Sequence, residues 1–136
     1  MRRLLAGALL MGSALAVWAH HSFAMFDMQK DVALSGTVKS FSWQSPHCWL
    51  QVMVPEDTGS ALEWSVEMGA PGMLYRHGWR QNSVRAGDKV TVVIHPLRDG
   101  RPGGSLVSLM LPDGTQLGQS GSGSTPVSGE PSESKP

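Results

Sequence analysis

Apolar and polar residues alternate with a period of two along several short segments, which is the pattern of half-buried β-strands. The clearest segment runs from Leu62 to Met68, where Glu63, Ser65 and Glu67 separate the apolar residues. Clusters of Gly, Pro and Asp, the residues that favour tight turns, separate the segments. The pattern predicts five strands, which span residues 34–43, 48–54, 62–68, 90–95 and 103–111.

The first of these strands changes its apolar phase between Val38 and Phe41. A change of phase within one strand indicates a bulge or a sharp bend. Such bends allow a strand to belong to two sheets or to curl into a barrel. We therefore predict a distortion of the first strand at this point.

One segment between the third and fourth strands has helical character instead. Pro71 suits the first turn of a helix, and Met73, Leu74 and His77 follow at helical spacing, before Gly78 provides a C-terminal stop. The resulting order, β-β-β-α-β-β, predicts an all-β fold with one short helix, a small five-stranded barrel of the OB type. An open sandwich and an SH3-like barrel remain alternatives, because one sequence does not reveal the order of strands in space.

Both ends of the chain are expected to lie outside this domain. Residues 1–19 contain two Arg, then an apolar stretch of about 14 residues, and then small residues at the spacing of a cleavage site. The apolar stretch is shorter than the ~20 residues of a membrane-spanning helix. This pattern predicts a secretory signal peptide, cut after Ala19 or, alternatively, after Ala16. Residues 118–136 are rich in Gly, Ser and Pro and are expected to form a disordered tail. Residues 20–117 remain for the barrel.

The charge balance gives no reason to expect a nucleic-acid partner, because the sequence contains 11 Lys and Arg and also 11 Asp and Glu. Loss of the signal peptide removes Arg2 and Arg3 and leaves no segment expected to hold the protein in a membrane. The single Cys48 excludes an internal disulfide and a thiolate zinc site. No phosphate loop, Gly-x-Ser-x-Gly or His-Glu-x-x-His motif occurs. We expect a periplasmic, monomeric binding protein rather than an enzyme.

The most specific chemical feature is the pair His20-His21 beside the predicted cleavage site. If His20 is the first residue of the mature protein, its free amine and its ring Nδ1 can chelate one metal ion. Amine and imidazole nitrogens suit Cu(II), with zinc and nickel as weaker candidates. The α-amine has a pKa near 8 and releases its proton easily at neutral pH. A mobile histidine pair without a metal is the alternative.

A third nitrogen could come from His47, at the start of the second strand, or from His95, at the end of the fourth. Each of these is alternatively a surface or capping residue, and His77 is expected to favour the helix dipole. Met25 and Met28 could serve Cu(I), for which a thioether is a soft ligand. Copper, as Cu(II) or Cu(I), is therefore the expected cofactor.

Two further residue types bear on function. Cys48 shares the apolar phase of its strand and is expected to be a buried, unreactive thiol. Trp49 lies opposite the main apolar phase, and Trp43 lies at the predicted bend, so both are candidates for exposed aromatic residues. Exposed aromatics stack on sugars or contact proteins, which makes a metal-independent protein- or glycan-binding barrel the alternative function.

As a set, these motifs resemble a family of small exported bacterial proteins known only as a domain of unknown function. The resemblance covers nearly all of the predicted domain. It is carried by the motifs Ala19-His20-His21-Ser22-Phe23, Gly36-Thr37-Val38, Trp43-Gln44-Ser45-Pro46-His47, Trp64, Gly78-Trp79, Gly87-Asp88 and His95-Pro96-Leu97-Arg98-Asp99-Gly100. It implies an exported location and a barrel shape, and it supplies no activity.

Overall fold

A computed structural model of the protein describes residues 23–119. Within them the chain forms six strands and one helix, and the five predicted strands and the predicted helix are confirmed within two residues at each end. The elements are β1 (Val32–Ser42), β2 (Trp49–Pro55), β3 (Ala61–Glu67), α1 (Pro71–Arg76), β4 (Lys89–Pro96), β5 (Gly103–Met110) and β6 (Gln116–Gly118). The predicted signal peptide and nearly all of the predicted tail lie outside the described residues.

The first five strands close into a barrel. β1 pairs antiparallel with β2 and β4, β2 pairs with β3, and β4 pairs with β5. A parallel pairing of residues 65–67 of β3 with residues 103–105 of β5 closes the barrel. We call this pairing the closing seam. The cyclic order β1-β2-β3-β5-β4 confirms the predicted OB-type barrel and excludes the open sandwich.

The predicted distortion of β1 is confirmed as a bulge. The register of β1 against β2 shifts between Val38 and Ser40, which is where the apolar phase changes. Residues 32–37 of β1 pair with β4, and residues 37–42 pair with β2. The bulge lets one long strand take part in both sides of the barrel.

The core contains the apolar residues of the alternating segments and Trp79, which follows α1 and is fully buried. The Trp79 indole Nε1 donates a hydrogen bond of 2.9 Å to the carbonyl oxygen of Gly118. Cys48 is also fully buried, as predicted. Burial is the largest influence on its thiol and raises the pKa. The thiolate needed for nucleophilic chemistry is therefore disfavoured.

One glycine permits a close approach of backbone beside the predicted ligand His95. A Cβ at Gly104 would collide with the carbonyl oxygen of His95 and would lie 2.7 Å from the Cδ1 of Ile94. Without that Cβ, β5 packs tightly against the end of β4 and sets His95 directly opposite Ser105.

The ordered barrel extends beyond the predicted boundary at residue 117. The strand β6, which was not predicted, pairs with the second half of β5. The side-chain oxygen Oε1 of Gln119 accepts a 2.9 Å hydrogen bond from the Gly69 backbone, and the Gln119 N–H donates to Val107. Gly118 and Gln119 are thus hydrogen-bonded to the closed barrel from outside it. In the described region no helix is long and apolar enough to cross a membrane.

Candidate metal site

A row of four paired residues crosses the outer face of the barrel at the closing seam. His95 of β4 pairs with Ser105 of β5, Ser105 pairs with Glu67 of β3, and Glu67 pairs with Trp49 of β2. Paired residues on neighbouring strands project from the same face of the sheet. The neighbours of this row along its strands lie in the core, so the row projects outward. We call these four residues the outer row.

The segment before β1 lies over part of the outer row. Phe26 is 3% exposed and forms an isolated β-bridge with Leu97. The Asp27 N–H donates to the carbonyl oxygen of Pro96 at 2.8 Å, and the Arg98 N–H donates to that of Met25 at 2.9 Å. These contacts hold the beginning of the described chain against the barrel, next to the predicted ligands.

His95 has one of its ring nitrogens occupied. Its Nδ1 lies 2.9 Å from the Lys30 carbonyl oxygen and 3.1 Å from Oδ1 of Asp31. Both neighbours are acceptors, so Nδ1 carries the proton and Nε2 keeps its lone pair. A metal-binding histidine commonly has this arrangement, because the second hydrogen bond fixes the tautomer and the direction of the ring.

His47 has the same arrangement with a different partner. Its Nδ1 contacts Oε1 of Glu67, a half-buried carboxylate of the outer row. The contact leaves Nε2 of His47 as the available ligand atom, and a carboxylate partner fixes the direction of the ring. The outer row therefore includes His95, and its Glu67 contacts His47. These are the two histidines predicted as third ligands.

His47 and His95 line two neighbouring cavities rather than one. The cavity beside His47 has a volume of about 180 Å³, and the cavity beside His95 has a volume of about 450 Å³. Their shared walls are Phe23, Met73, Ser105 and Gln119. Residues 23–119 contain no group of three His, Cys, Asp or Glu side chains that could hold a metal ion. His20 and His21, the predicted leading ligands, lie outside the described residues.

The remaining predicted ligands are separated. Met28 lines the larger cavity, whereas Met25 lies in a different cavity together with Trp49. His77 caps the end of α1, where its Nδ1 contacts the Met73 carbonyl oxygen at 3.0 Å. It lines neither of the two neighbouring cavities.

The two tryptophans proposed as partner contacts are half-buried and do not form a common surface. Trp43 packs against the core, with its ring 5.9 Å from that of Phe41 in an edge-on arrangement. Trp49 belongs to the outer row and lines a cavity of about 400 Å³ with Leu97 and Arg101. Trp49 is therefore the better placed of the two to contact a partner.

Sequence reasoning did not identify Glu67 as the partner of His47 or Met73 as a wall of both cavities. Alternation had placed Glu63 and Glu67 on the outward face of one strand. Glu63 pairs instead with Lys39, at 2.5 Å. Which of the two carboxylates contacts His47 depends on the loop that carries this histidine. That loop contacts β3 only in the folded barrel.

Comparison with known proteins identifies the family to which the chain belongs. No curated protein and no solved structure matches it. A family model does match, over residues 8–106, which include the barrel from β1 into β5. The chain belongs to this family, DUF6152, a family of unknown function.

Proposed function

We propose that the protein is an exported periplasmic module that binds Cu(II) and has no enzymatic activity of its own. In this proposal His20 leads the mature chain and contributes its amine and ring nitrogen, and His47 contributes a third nitrogen. The observation that carries the proposal is the pair His47–Glu67 in a cavity that also contains Phe23.

Chain length supports the approach of His20 to His47. Phe23 lines the His47 cavity and lies three residues after His20. Three residues span at most about 11 Å when fully extended. The contacts of Phe26 and Asp27 fix the following segment on the barrel, so a chain that begins at His20 needs only this short reach beyond Phe23 for its amine to approach His47.

The chemistry of the donors supports Cu(II). An amine and two imidazoles form a nitrogen set that ranks copper above the other divalent first-row ions. Glu67 orients His47 and partly balances the charge of the ion, as a carboxylate behind a ligating histidine commonly does. His95 is an alternative third nitrogen, because its cavity shares Phe23 with the cavity of His47. His21 is an alternative to His20, because it is the next residue along the chain.

The test is a thermal melt of the mature protein with and without Cu(II), after intact mass has established that His20 is the first residue. Free Cu(II) at a concentration of 100 times its Kd would add about 2.7 kcal/mol to the free energy of unfolding. For a domain of about 100 residues this corresponds to a rise in Tm of about 10 °C or more.

A matched protein with Gly-Ser-Met added before His20 is the control. It retains every side chain but converts the amine into an amide, so the rise in Tm should be lost. A protein starting at His20 that shows no rise, or an extended protein that shows the same rise, would contradict the proposal.

The cavity beside Trp49 favours one alternative function, a metal-independent contact with a protein or glycan. Trp49, Leu97 and Arg101 combine an aromatic ring, an apolar side chain and a cation on the outer face. A partner held there would be captured from a periplasmic extract in the presence of a chelator and lost with Trp49→Ala. Capture that the chelator abolishes would instead favour the metal-dependent function.

A further inference from the structure

We infer that the larger cavity beside the outer row is a second metal site, which binds a soft monovalent ion, Cu(I), through two thioethers and one imidazole. The proposed ligand atoms are Sδ of Met28, Sδ of Met73 and Nε2 of His95, and these three residues line the same cavity of about 450 Å³. All three lie within the described residues, so the site does not depend on His20 or on the proposed cleavage.

Core packing does not account for the position of Met28. Buried methionines commonly fill irregular gaps, as Met68 does at 2% exposure. Met28 is 46% exposed, and it lies in the segment held against the barrel by Asp27 and Phe26. Met73, from α1, packs over Gly69, where a Cβ would collide with its terminal methyl group. Two polarizable sulfurs from distant parts of the chain thus line one cavity.

His95 supplies a nitrogen that is already oriented. Its Nδ1 is occupied by the Lys30 carbonyl oxygen and by Asp31, which leaves the lone pair of Nε2 available. The side chain is 20% exposed and lines the cavity with the two methionines. It therefore needs no change of tautomer to bind a metal.

The composition of the cavity wall selects the type of ion. Among its lining residues in the described chain there is no carboxylate and no cationic side chain. Hard divalent ions such as Mg²⁺ and Ca²⁺ prefer carboxylate and carbonyl oxygens in larger numbers. Thioethers select Cu(I), and a single positive charge is less costly to place beside apolar walls such as Phe23 and Leu106.

The neighbouring His47 cavity has the opposite character, because Glu67 contributes a carboxylate there. The two cavities share Phe23 and Met73 as walls, but of the two Glu67 lines only the His47 cavity and Met28 lines only the His95 cavity. The shared edge of the barrel therefore provides separate sites for ions of different softness. This inference does not require the Cu(II) site at His47, and it extends the proposed function to a second oxidation state. A Cu(II) site that used His95 instead would compete with it.

The test uses Ag(I), a redox-inert ion with the same preference for sulfur, in chloride-free buffer. The protein carries ¹³C-labelled methionine methyl groups and a Gly-Ser-Ala extension before His20, which removes the Cu(II) chelate and adds no thioether. We expect one Ag(I) per protein and shifts of the Met28 and Met73 methyl signals. The signals of Met25 and Met110, which are similarly exposed but line other cavities, should stay in place.

Variants test the same ligands by affinity. Met28→Leu and Met73→Leu should each weaken Ag(I) binding at least tenfold, and Met25→Leu is the matched control that should not. The exchange of Met for Leu conserves volume and is among the best tolerated core substitutions, so the variants should fold. Ag(I) binding that leaves both methyl signals and both affinities unchanged would overturn the inference. Loss of the Cu(II) effect alone would leave it intact.

Discussion

Replacement of Trp79 by alanine is expected to remove about 3–5 kcal/mol from the free energy of unfolding, the range for large aromatic residues in cores. Trp79 is fully buried, and its Nε1 is hydrogen-bonded to Gly118 of β6. The substitution therefore leaves a cavity in the core and a carbonyl oxygen without its donor. Because single domains have total stabilities of only about 5–15 kcal/mol, the variant should be marginal at 25 °C. Urea unfolding followed by circular dichroism measures the loss.

Two controls separate the contributions to this loss. Trp79→Phe keeps an aromatic ring but removes the indole donor, so part of the loss should be recovered. Trp49→Ala removes the same side chain from a half-buried place on the outer row, and it should cost much less. A loss below about 1 kcal/mol for Trp79→Ala would contradict the role of this residue as the centre of the core.

Replacement of Glu67 by glutamine is expected to weaken Cu(II) binding about 10- to 100-fold, the usual effect of removing the partner of a ligating histidine. Glutamine keeps the shape of the side chain but removes the negative charge that contacts Nδ1 of His47. The orientation of the His47 ring is then less firmly fixed. Competition against a chelator of known copper affinity measures the change.

Glu63→Gln is the matched control, because Glu63 lies on the same face of the same strand and pairs with Lys39 instead. Its effect on copper affinity should be less than about twofold, since exposed ion pairs contribute little. Equal losses in both variants would mean that overall charge, and not the His47–Glu67 contact, determines affinity. An unchanged affinity in Glu67→Gln would remove His47 from the proposed site.

The architecture of the barrel was predictable from the sequence because local patterns of apolar and turn-forming residues determine the order of its strands and helix along the chain. Strands with one buried face must alternate, so the segment from Leu62 to Met68 could be recognised without knowledge of its partners. The bulge near Val38 was visible as a change of phase, and α1 was marked by Pro71 at its start and Gly78 at its end. Gly78 adopts a φ of +89°, which glycine reaches without strain.

The features that were not predicted depend on contacts between distant parts of the chain. β6 has only three residues, too few to show a period, and it is defined by its pairing with β5. Trp79 lies in an irregular segment, and its burial results from closure of the barrel around it. Met73 fitted a helical spacing, but its place in the wall of both cavities depends on where α1 packs.

The closing seam has a consequence for how the protein reaches its native state. It joins strands that are far apart along the chain, β3 and β5, with α1 and all of β4 between them. Loop-closure entropy opposes such a contact until the intervening elements are in place. A high contact order of this kind is typical of barrels that fold in milliseconds to seconds rather than in microseconds. Formation of this parallel pairing is therefore expected to set the folding rate, and the outer row that crosses it is assembled only at that late step.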